Sequence, residues 1–359
     1  MSGQQRAGEQ RVNDKVLLTD LTYDEMVAWV EQQGEPAFRA RQLFAWIYRT
    51  LSRDIASMSN LPEALRQRLD TIALLQSARP LTSITSADAL TVKTLLQLRD
   101  SETIETVLMR YDGRQTVCVS SQVGCAVGCP FCATGLGGFK RNLSSGEIAD
   151  QVLHFARELH PQGKAVTNVV LMGMGEPLAN YEATWRAIRV LNDPRGFGLG
   201  VRRFTISTAG LVPGIERMAG EGLAVGLAVS LHAADDALRD RLVPVNRRFP
   251  LAVLIHVCRA YAKRTGRRVS FEYALVDGVN DDPSQARELG RLLHGLLCHV
   301  NLIPVNPVAG CDYRPSNRAK IMAFRRQLTS IGIANTVRLP RGTDIQAGCG
   351  QLRSRNTGD

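Results

Sequence analysis

From residue 116 onward the chain alternates extended apolar runs with amphipathic helical runs, and no other feature narrows its fold so far. Residues 116–119, 167–172, 203–207, 224–231, 269–275 and 300–305 read as strands, and each is followed by a helix-like stretch, at 148–159, 181–191, 213–220, 251–263, 283–297 and 316–331. Strands joined by crossover helices form parallel sheets, so the expected class is α/β, a partial (β/α)6 TIM-like barrel. In such barrels chemistry collects at the C-terminal strand ends. The residues that follow each strand therefore carry the functional argument.

The first strand end runs into Cys118-Val-Ser-Ser-Gln-Val-Gly-Cys125-Ala-Val-Gly-Cys129-Pro-Phe-Cys132. Cys125, Cys129 and Cys132 share one tight loop, so their sulfurs can converge on one inorganic centre, and soft thiolates suit iron-sulfur clusters or zinc. A structural zinc wants four closed ligands, and the nearest later candidate, His154, falls inside a predicted helix. Three cysteines on a four-iron cluster leave one iron open to a small molecule. The eight cysteines are not spaced as a disulfide framework, and a clustered triad in a large enzyme needs a reducing compartment. Cys258, Cys298 and Cys311 read as structural.

The later strand ends are Gly173-Met-Gly175-Glu176-Pro, Ser207-Thr-Ala-Gly, Ser230-Leu231-His232 and Pro304-Val-Asn306. Backbone freed by the two glycines, the Glu176 carboxylate, and the polar groups of Ser207, Ser230 and Asn306 suit a zwitterionic amino-acid moiety and a ribose. Singly, each small polar residue is an ordinary loop cap. Four such ends facing one three-cysteine loop point to a site.

Ahead of the barrel core, placed at 112–345, residues 1–18 are polar and aperiodic and are expected to be a disordered tail. Residues 19–78 form a small helical domain. Thr22-Tyr-Asp-Glu25 is a capping box opening its first helix, and Phe38, Leu43, Phe44, Trp46 and Ile47 mark the second. Its aromatic residues fall on helical apolar stripes and read as core rather than as base-stacking groups. Residues 79–111 read as a β-hairpin linker with strands at 90–98 and 103–111, and 346–359 as a C-terminal loop. The chain carries 44 Lys and Arg against 34 Asp and Glu, and beyond residue 75 the balance is 35 against 24. A polyanion such as nucleic acid would therefore dock on the barrel, with Arg202, Arg203, Arg247, Arg248, Lys263, Arg264, Arg267, Arg268, Arg325 and Arg326 as candidate contacts. No apolar run approaches a membrane span and no signal-peptide core is present, so a cytoplasmic protein without membrane contact is expected.

The triad spacing, with an aromatic directly before the last cysteine, resembles the radical S-adenosylmethionine (SAM) superfamily. Further motifs, Phe38-Arg-Ala-Arg-Gln42, Gly173-Met-Gly-Glu-Pro-Leu178, Leu275-Val-Asp-Gly-Val-Asn280 and Cys349-Gly-Gln-Leu352, make residues 20–352 similar to the RlmN/Cfr family of radical-SAM RNA adenine methyltransferases. The resemblance implies one 4Fe-4S cluster on Cys125, Cys129 and Cys132. It also implies two SAM molecules per turnover, held by Gly175, Glu176, Ser207, Ser230, Leu231, His232 and Asn306. The implied product is 2-methyladenosine in the peptidyl-transferase region of 23S rRNA and in tRNA beside the anticodon, with the helical domain as an RNA-binding accessory. An electron donor such as flavodoxin or ferredoxin, and action as a monomer, are implied too.

Adenine C2 is electron-poor and cannot attack the methyl of SAM, so the family routes the methyl through protein sulfur. By family position Cys349 carries it as S-methylcysteine, a SAM-derived radical activates that methyl group, and the carbon radical adds to C2. Glu105 then takes the C2 proton, and Cys118 attacks the bridging sulfur, leaving a transient disulfide with Cys349. Taken alone, Glu105 reads as a solvated strand carboxylate and either cysteine as an inert buried thiol. The same cysteines would serve C8 methylation of that rRNA adenosine, the antibiotic-resistance form, and the motifs leave the two open. A noncatalytic RNA-binding protein with a structural metal would share the charge but has no use for five chemical cysteines. One departure from the family stands at Ala347-Gly348-Cys349, where a second alanine is commoner; a looser loop is expected there.

Overall fold

The computed structural model describes residues 15–338 and 341–354. Most of the proposed tail, 1–14, and the last part of the C-terminal loop, 355–359, lie outside the described residues. The aperiodic reading stops short of residue 18, however. Strand β1 (Val16–Leu17) pairs in parallel with β2 (Ala73–Leu74), and Leu18 is fully buried.

Between these strands lie the helices Tyr23–Gln32, Phe38–Tyr48 and Glu63–Ile72. The Thr22 capping box is present, with the hydroxyl accepting from Glu25 N–H at 3.3 Å and the Glu25 carboxylate accepting from Thr22 N–H at 2.9 Å. Caps of this kind contribute about 1 kcal/mol. Phe44 and Tyr48 are buried, Trp46 is partly covered with its indole N–H on Asn60, and Phe38 is exposed. This small core extends into the barrel through Leu153 and Val190. Polar contacts reinforce the seam: Asp20 accepts from Gly146 N–H at 2.6 Å, and Arg157 donates to Leu51 O at 3.2 Å.

The hairpin linker is larger than expected and is no linker. Three antiparallel strands, β3 (Ala78–Thr85), β4 (Thr91–Leu98) and β5 (Thr103–Tyr111), lead into β6 (Arg114–Cys118), and all four belong to the sheet that makes the barrel. β3 escapes a reading by pattern because it is an edge strand, exposed along its length and irregular near Pro80. Beyond β6, the antiparallel ribbon of β7 (Gln122–Gly124) and β8 (Phe139–Asn142) brackets the cysteine loop.

The parallel strands are then β9 (Asn168–Leu171), β10 (Phe204–Thr208), β11 (Gly226–Ser230), β12 (Val269–Leu275), β13 (Cys298–Pro304) and β14 (Asn335–Val337). With β6 they run in the order β6-β9-β10-β11-β12-β13-β14, each in parallel with its neighbour. The six expected strand-helix units are therefore closed by a seventh strand, β14, whose three residues are too short to leave a periodic signal. Helices including Ser145–Leu159, Tyr181–Asn192, Val212–Gly220, Leu251–Thr265, Pro283–Leu293 and Arg318–Ser330 cover the outer face. A further helix, Asp236–Leu242, follows the end of β11. None among the described residues is long and apolar enough to cross a membrane.

Candidate active site

The cysteine loop is set by the β7-β8 ribbon. Gly124 has φ +76°, and a Cβ there would lie 1.8 Å from Gly138 O, so only glycine closes the ribbon this tightly. Cys125 N–H donates to Gly138 O at 2.8 Å, and Cys132 N–H to Cys129 O at 3.1 Å. All three sulfurs line one cavity of about 170 Å³, together with Glu176, Ser207, Ser230, His232 and Asn306. Among the described residues no three His, Cys, Asp or Glu side chains are drawn together as a ready cage for a metal ion. The thiols are instead distributed around the cavity wall. Burial first, with neighbouring Glu176 and Cys132 adding to it, pushes Cys125 up to about 11; burial, then Cys132 and Cys125, pushes Cys129 higher still. Three soft donors spread around one cavity suit a centre wider than one ion, and an iron-sulfur cluster fits that donor set.

Opposite the triad, Glu176 is buried at the turn after β9. Its Oε1 accepts from Leu178 N–H at 3.0 Å and its Oε2 from Ala209 N–H at 2.7 Å, while its own N–H donates to Gln122 at 2.8 Å. Burial outweighs these bonds and pushes the carboxyl up to about 7. An anion held this way, with no basic side chain among the described residues bonded to it, is complementary to an ammonium group of a ligand. Gly175 makes the turn possible, with φ +100° and a virtual Cβ only 2.6 Å from the Gln122 side chain.

Ser207 and Ser230 end β10 and β11 and face the same cavity. His232 occupies a left-handed conformation, φ +60°, which is uncommon for a side chain of its size. Its Nδ1 accepts from Ala274 N–H at 2.9 Å, its ring edge meets Phe131 at 5.1 Å, and burial lowers it to about 3, so it is neutral with its proton on Nε2. Leu231 is the exception among the expected binding residues. Its side chain is fully buried and does not line the cavity, and only its backbone is engaged, N–H to Glu272 O at 3.0 Å.

One important residue has no sequence signal. Arg239, fully buried on the helix Asp236–Leu242, donates to Leu231 O at 3.1 Å, Ser230 O at 3.1 Å, Ala209 O at 2.7 Å and Asn246 Oδ1 at 2.8 Å. It ties the ends of β10 and β11 together beneath the cavity. Burial lowers it to about 10, which leaves it charged at neutral pH. On a helix rich in Asp and Arg, nothing marks this one for burial.

A second chamber of about 520 Å³ lies within the curve of the sheet, and Cys118 is on its wall. Burial, then the neighbouring Cys349, pushes Cys118 up to about 12. Cys349 lines both cavities and is exposed, and all eight cysteines are free thiols. Its loop is held from several sides: Asn306 Nδ2 donates to Cys349 O at 3.0 Å, Ala133 N–H to Gly350 O at 2.7 Å, and Thr134 Oγ1 to Leu352 O at 2.5 Å. The expectation of a looser loop is not met. A Cβ on Gly348 would lie 2.6 Å from Asn306 Nδ2, so the missing methyl is replaced by close packing.

Glu105 is buried rather than solvated, because β5 is covered on both faces. It lines neither cavity. Its Oε1 lies 3.0 Å from Lys93 Nζ and its Oε2 accepts from Arg353 N–H at 3.0 Å, directly behind the Cys349 loop.

Residues 16–75 match the family described as the ribosomal RNA large subunit methyltransferase N-terminal domain, and residues 119–289 match the radical SAM superfamily. Two relatives described as probable dual-specificity RNA methyltransferase RlmN come from Symbiobacterium thermophilum and Moorella thermoacetica. The first is 48% identical, over 94% of this chain and 91% of its own length; the second is 49% identical, over 94% and 97%. A crystal structure of a radical SAM methyltransferase from Sphaerobacter thermophilus is 51% identical and superposes with a TM-score of 0.93, covering 94% of this chain and 99% of that one.

Proposed function

The chain belongs to the RlmN family of radical SAM RNA methyltransferases, and from that premise we propose that it makes 2-methyladenosine in 23S rRNA and in tRNA next to the anticodon. The observation that carries this reading is that Cys349 lines both the cluster cavity and the inner chamber, while Cys118 stands on the chamber wall. A thiol with access to both spaces can take a methyl group in one and deliver it in the other.

When bound by Cys125, Cys129 and Cys132 and by the strand ends, a 4Fe-4S cluster and SAM supply the methyl group and the one-electron chemistry that activates it. Glu176 receives the ammonium of SAM, and Ser207, Ser230, His232 and Asn306 orient its carboxylate and ribose. Cys349 loses its proton as its sulfur accepts the methyl group. After the carbon has bonded to adenine C2, Glu105 takes the C2 proton, a role that requires the segment whose Arg353 N–H now bonds its Oε2 to move aside and open it to the chamber. The adduct's unpaired electron would return to the bound cluster; Cys118 Sγ, as a thiolate, then attacks Cys349 Sγ, the carbon-sulfur electron pair goes to the product carbon, which takes up a proton to become the methyl group, and the two sulfurs are left as a disulfide that a reductant must reopen. Nine of the ten candidate basic residues are exposed and Arg267 is partly so, which supports phosphate contacts on the barrel body. The N-terminal helical domain serves RNA binding, a flavodoxin or ferredoxin supplies electrons, and the enzyme works in the cytoplasm as a monomer.

The test is mass analysis of nucleosides from rRNA and tRNA incubated with reconstituted enzyme, reductant and methyl-labelled SAM. Labelled 2-methyladenosine in both RNAs is expected. Label at C8, or none in RNA, overturns the reading.

A further inference from the structure

The inner chamber holds one carboxylate that the chemistry above leaves unused. Glu272 sits on β12 with its residue only 5% exposed, lining both cavities. Its neighbours in register are Asn301 on β13 and Thr336 on β14. The three side chains form one polar ladder: Thr336 Oγ1 donates to Asn301 Oδ1 at 3.0 Å, and Asn301 Nδ2 donates to Glu272 Oε1 at 2.8 Å. The ladder fixes the direction of every bond in it. Oε1 is engaged, and Arg338 approaches that same oxygen at 3.7 Å. Oε2 is buried and has no hydrogen-bond partner among the described residues. A buried acceptor without a donor costs about 1–3 kcal/mol, and more when it is charged. Its place on two cavity walls makes it a receptor for a donor that arrives with a ligand.

The rest of the chamber describes that ligand. Met109, Val170, Met172 and Leu352 give it apolar walls, and Cys118 and Cys349 stand among them. Its cationic side is made by Arg114, Arg338 and Arg341, with Arg114 and Arg341 lying 4.1 and 4.3 Å from the Tyr111 ring. Arg114 and Arg338 are exposed, so this side faces solvent. A flat apolar body, a hydrogen-bond donor at one edge and an attached anion are the attributes of a nucleotide with an exocyclic amine.

We propose that this chamber seats the target nucleobase and that Glu272 is a specificity residue, its Oε2 accepting from the 6-amino group of adenine while the arginines hold the flanking backbone. The inference rests on the RNA-adenine reading above. A 6-oxo purine would set its carbonyl oxygen against the carboxylate and be rejected, and a purine without a 6-substituent would leave the oxygen unpaired.

The ladder supplies a reversing variant. In Glu272→Gln, Asn301 Nδ2 still donates to the side-chain oxygen, which turns the Gln amide nitrogen toward the chamber. The site then presents a donor and should favour a 6-oxo purine. The experiment measures, by fluorescence anisotropy without SAM, binding of cluster-loaded wild-type, Glu272→Gln and Glu272→Ala proteins to RNA hairpins carrying adenosine, purine riboside or inosine at the target position. Wild type should bind adenosine about tenfold or more above purine riboside, with inosine weaker still. Glu272→Gln should invert adenosine and inosine, and Glu272→Ala should bring the three within about twofold. Wild type that does not separate adenosine from purine riboside, or variants that keep the wild-type ranking, overturn the proposal. Formation of 2-methyladenosine by wild type is measured on the same adenosine hairpin: its absence counts against the proposed function, whereas the ranking of the three RNAs judges Glu272.

Discussion

Glu176→Gln is expected to stabilise the cluster-free protein at neutral and alkaline pH while removing its grip on SAM. The carboxyl stands at about 7 when folded against a reference value of 4.5. Between those values the folded state holds a proton that the unfolded chain has released, so stability falls as pH rises through that window and the loss is complete above about pH 7. At about 1.4 kcal/mol per pH unit, the difference between 4.5 and about 7 amounts to about 3 kcal/mol. The amide is a close reference for the protonated acid. Oxygens that now accept from Leu178 and Ala209 N–H become, in both neutral forms, one acceptor and one donor. Subtracting the variant's unfolding free energy from that of wild type, measured in urea from pH 5 to 8.5, cancels every other titrating group. The difference should move against wild type by about 3 kcal/mol, most of it between pH 5 and 7.5. With saturating SAM the wild-type decline should flatten, because an ammonium beside Glu176 restores its ordinary acidity, and the variant should bind SAM at least about tenfold more weakly. A pH-independent difference would refute the argument, and so would wild type gaining stability relative to Gln as pH rises.

Other expectations follow from the same site. Cys349→Ala should form no adduct with RNA, whereas Cys118→Ala and Glu105→Gln should stall as protein-RNA cross-links on a denaturing gel; normal turnover by Cys118→Ala would refute the assigned roles. Cys129→Ala should lose its iron on anaerobic reconstitution while its circular dichroism stays native, and unchanged iron content would contradict the triad. Arg239→Met should cost about 3–5 kcal/mol in urea unfolding, since the carbonyls of Ala209, Ser230 and Leu231 lose a charged donor in a buried place. Arg239→Lys should fall between, because an ammonium cannot span acceptors on two strands as a planar guanidinium does. RNA affinity should drop steeply between about 50 and 200 mM salt, and binding that ignores salt would rule out a phosphate-dominated interface.

What could be read from sequence was what short-range physics encodes. The strand-helix alternation shows because burial periodicity is local, and the capping box at Thr22 shows because its partner lies three residues away. The cysteine triad shows for the same reason. Features that depend on partners far along the chain did not show. β3 carries almost no apolar alternation because it is exposed along an edge. Glu105 is buried because it pairs with Leu95 on β4, the Ser120 hydroxyl bonds its carbonyl, and Arg353 caps it across 248 residues. Glu272 gains its meaning from a register that brings Asn301 and Thr336 level with it, and Arg239 from carbonyls on two separate strands. The family motifs reached Glu105 without explaining its burial, and they left Glu272 and Arg239 aside.

The bond from Thr134 to Leu352 joins residues 218 apart in the chain. During synthesis the cysteine loop therefore leaves the ribosome long before the segment that will lie against it exists. At about 5–20 residues per second the interval is roughly 10–40 seconds. For that time the segment carrying Cys349, which in the finished protein lines the same cavity as the three thiols, does not yet exist. Order of synthesis thus makes the cysteine loop well before the Cys349 segment that comes to lie against it.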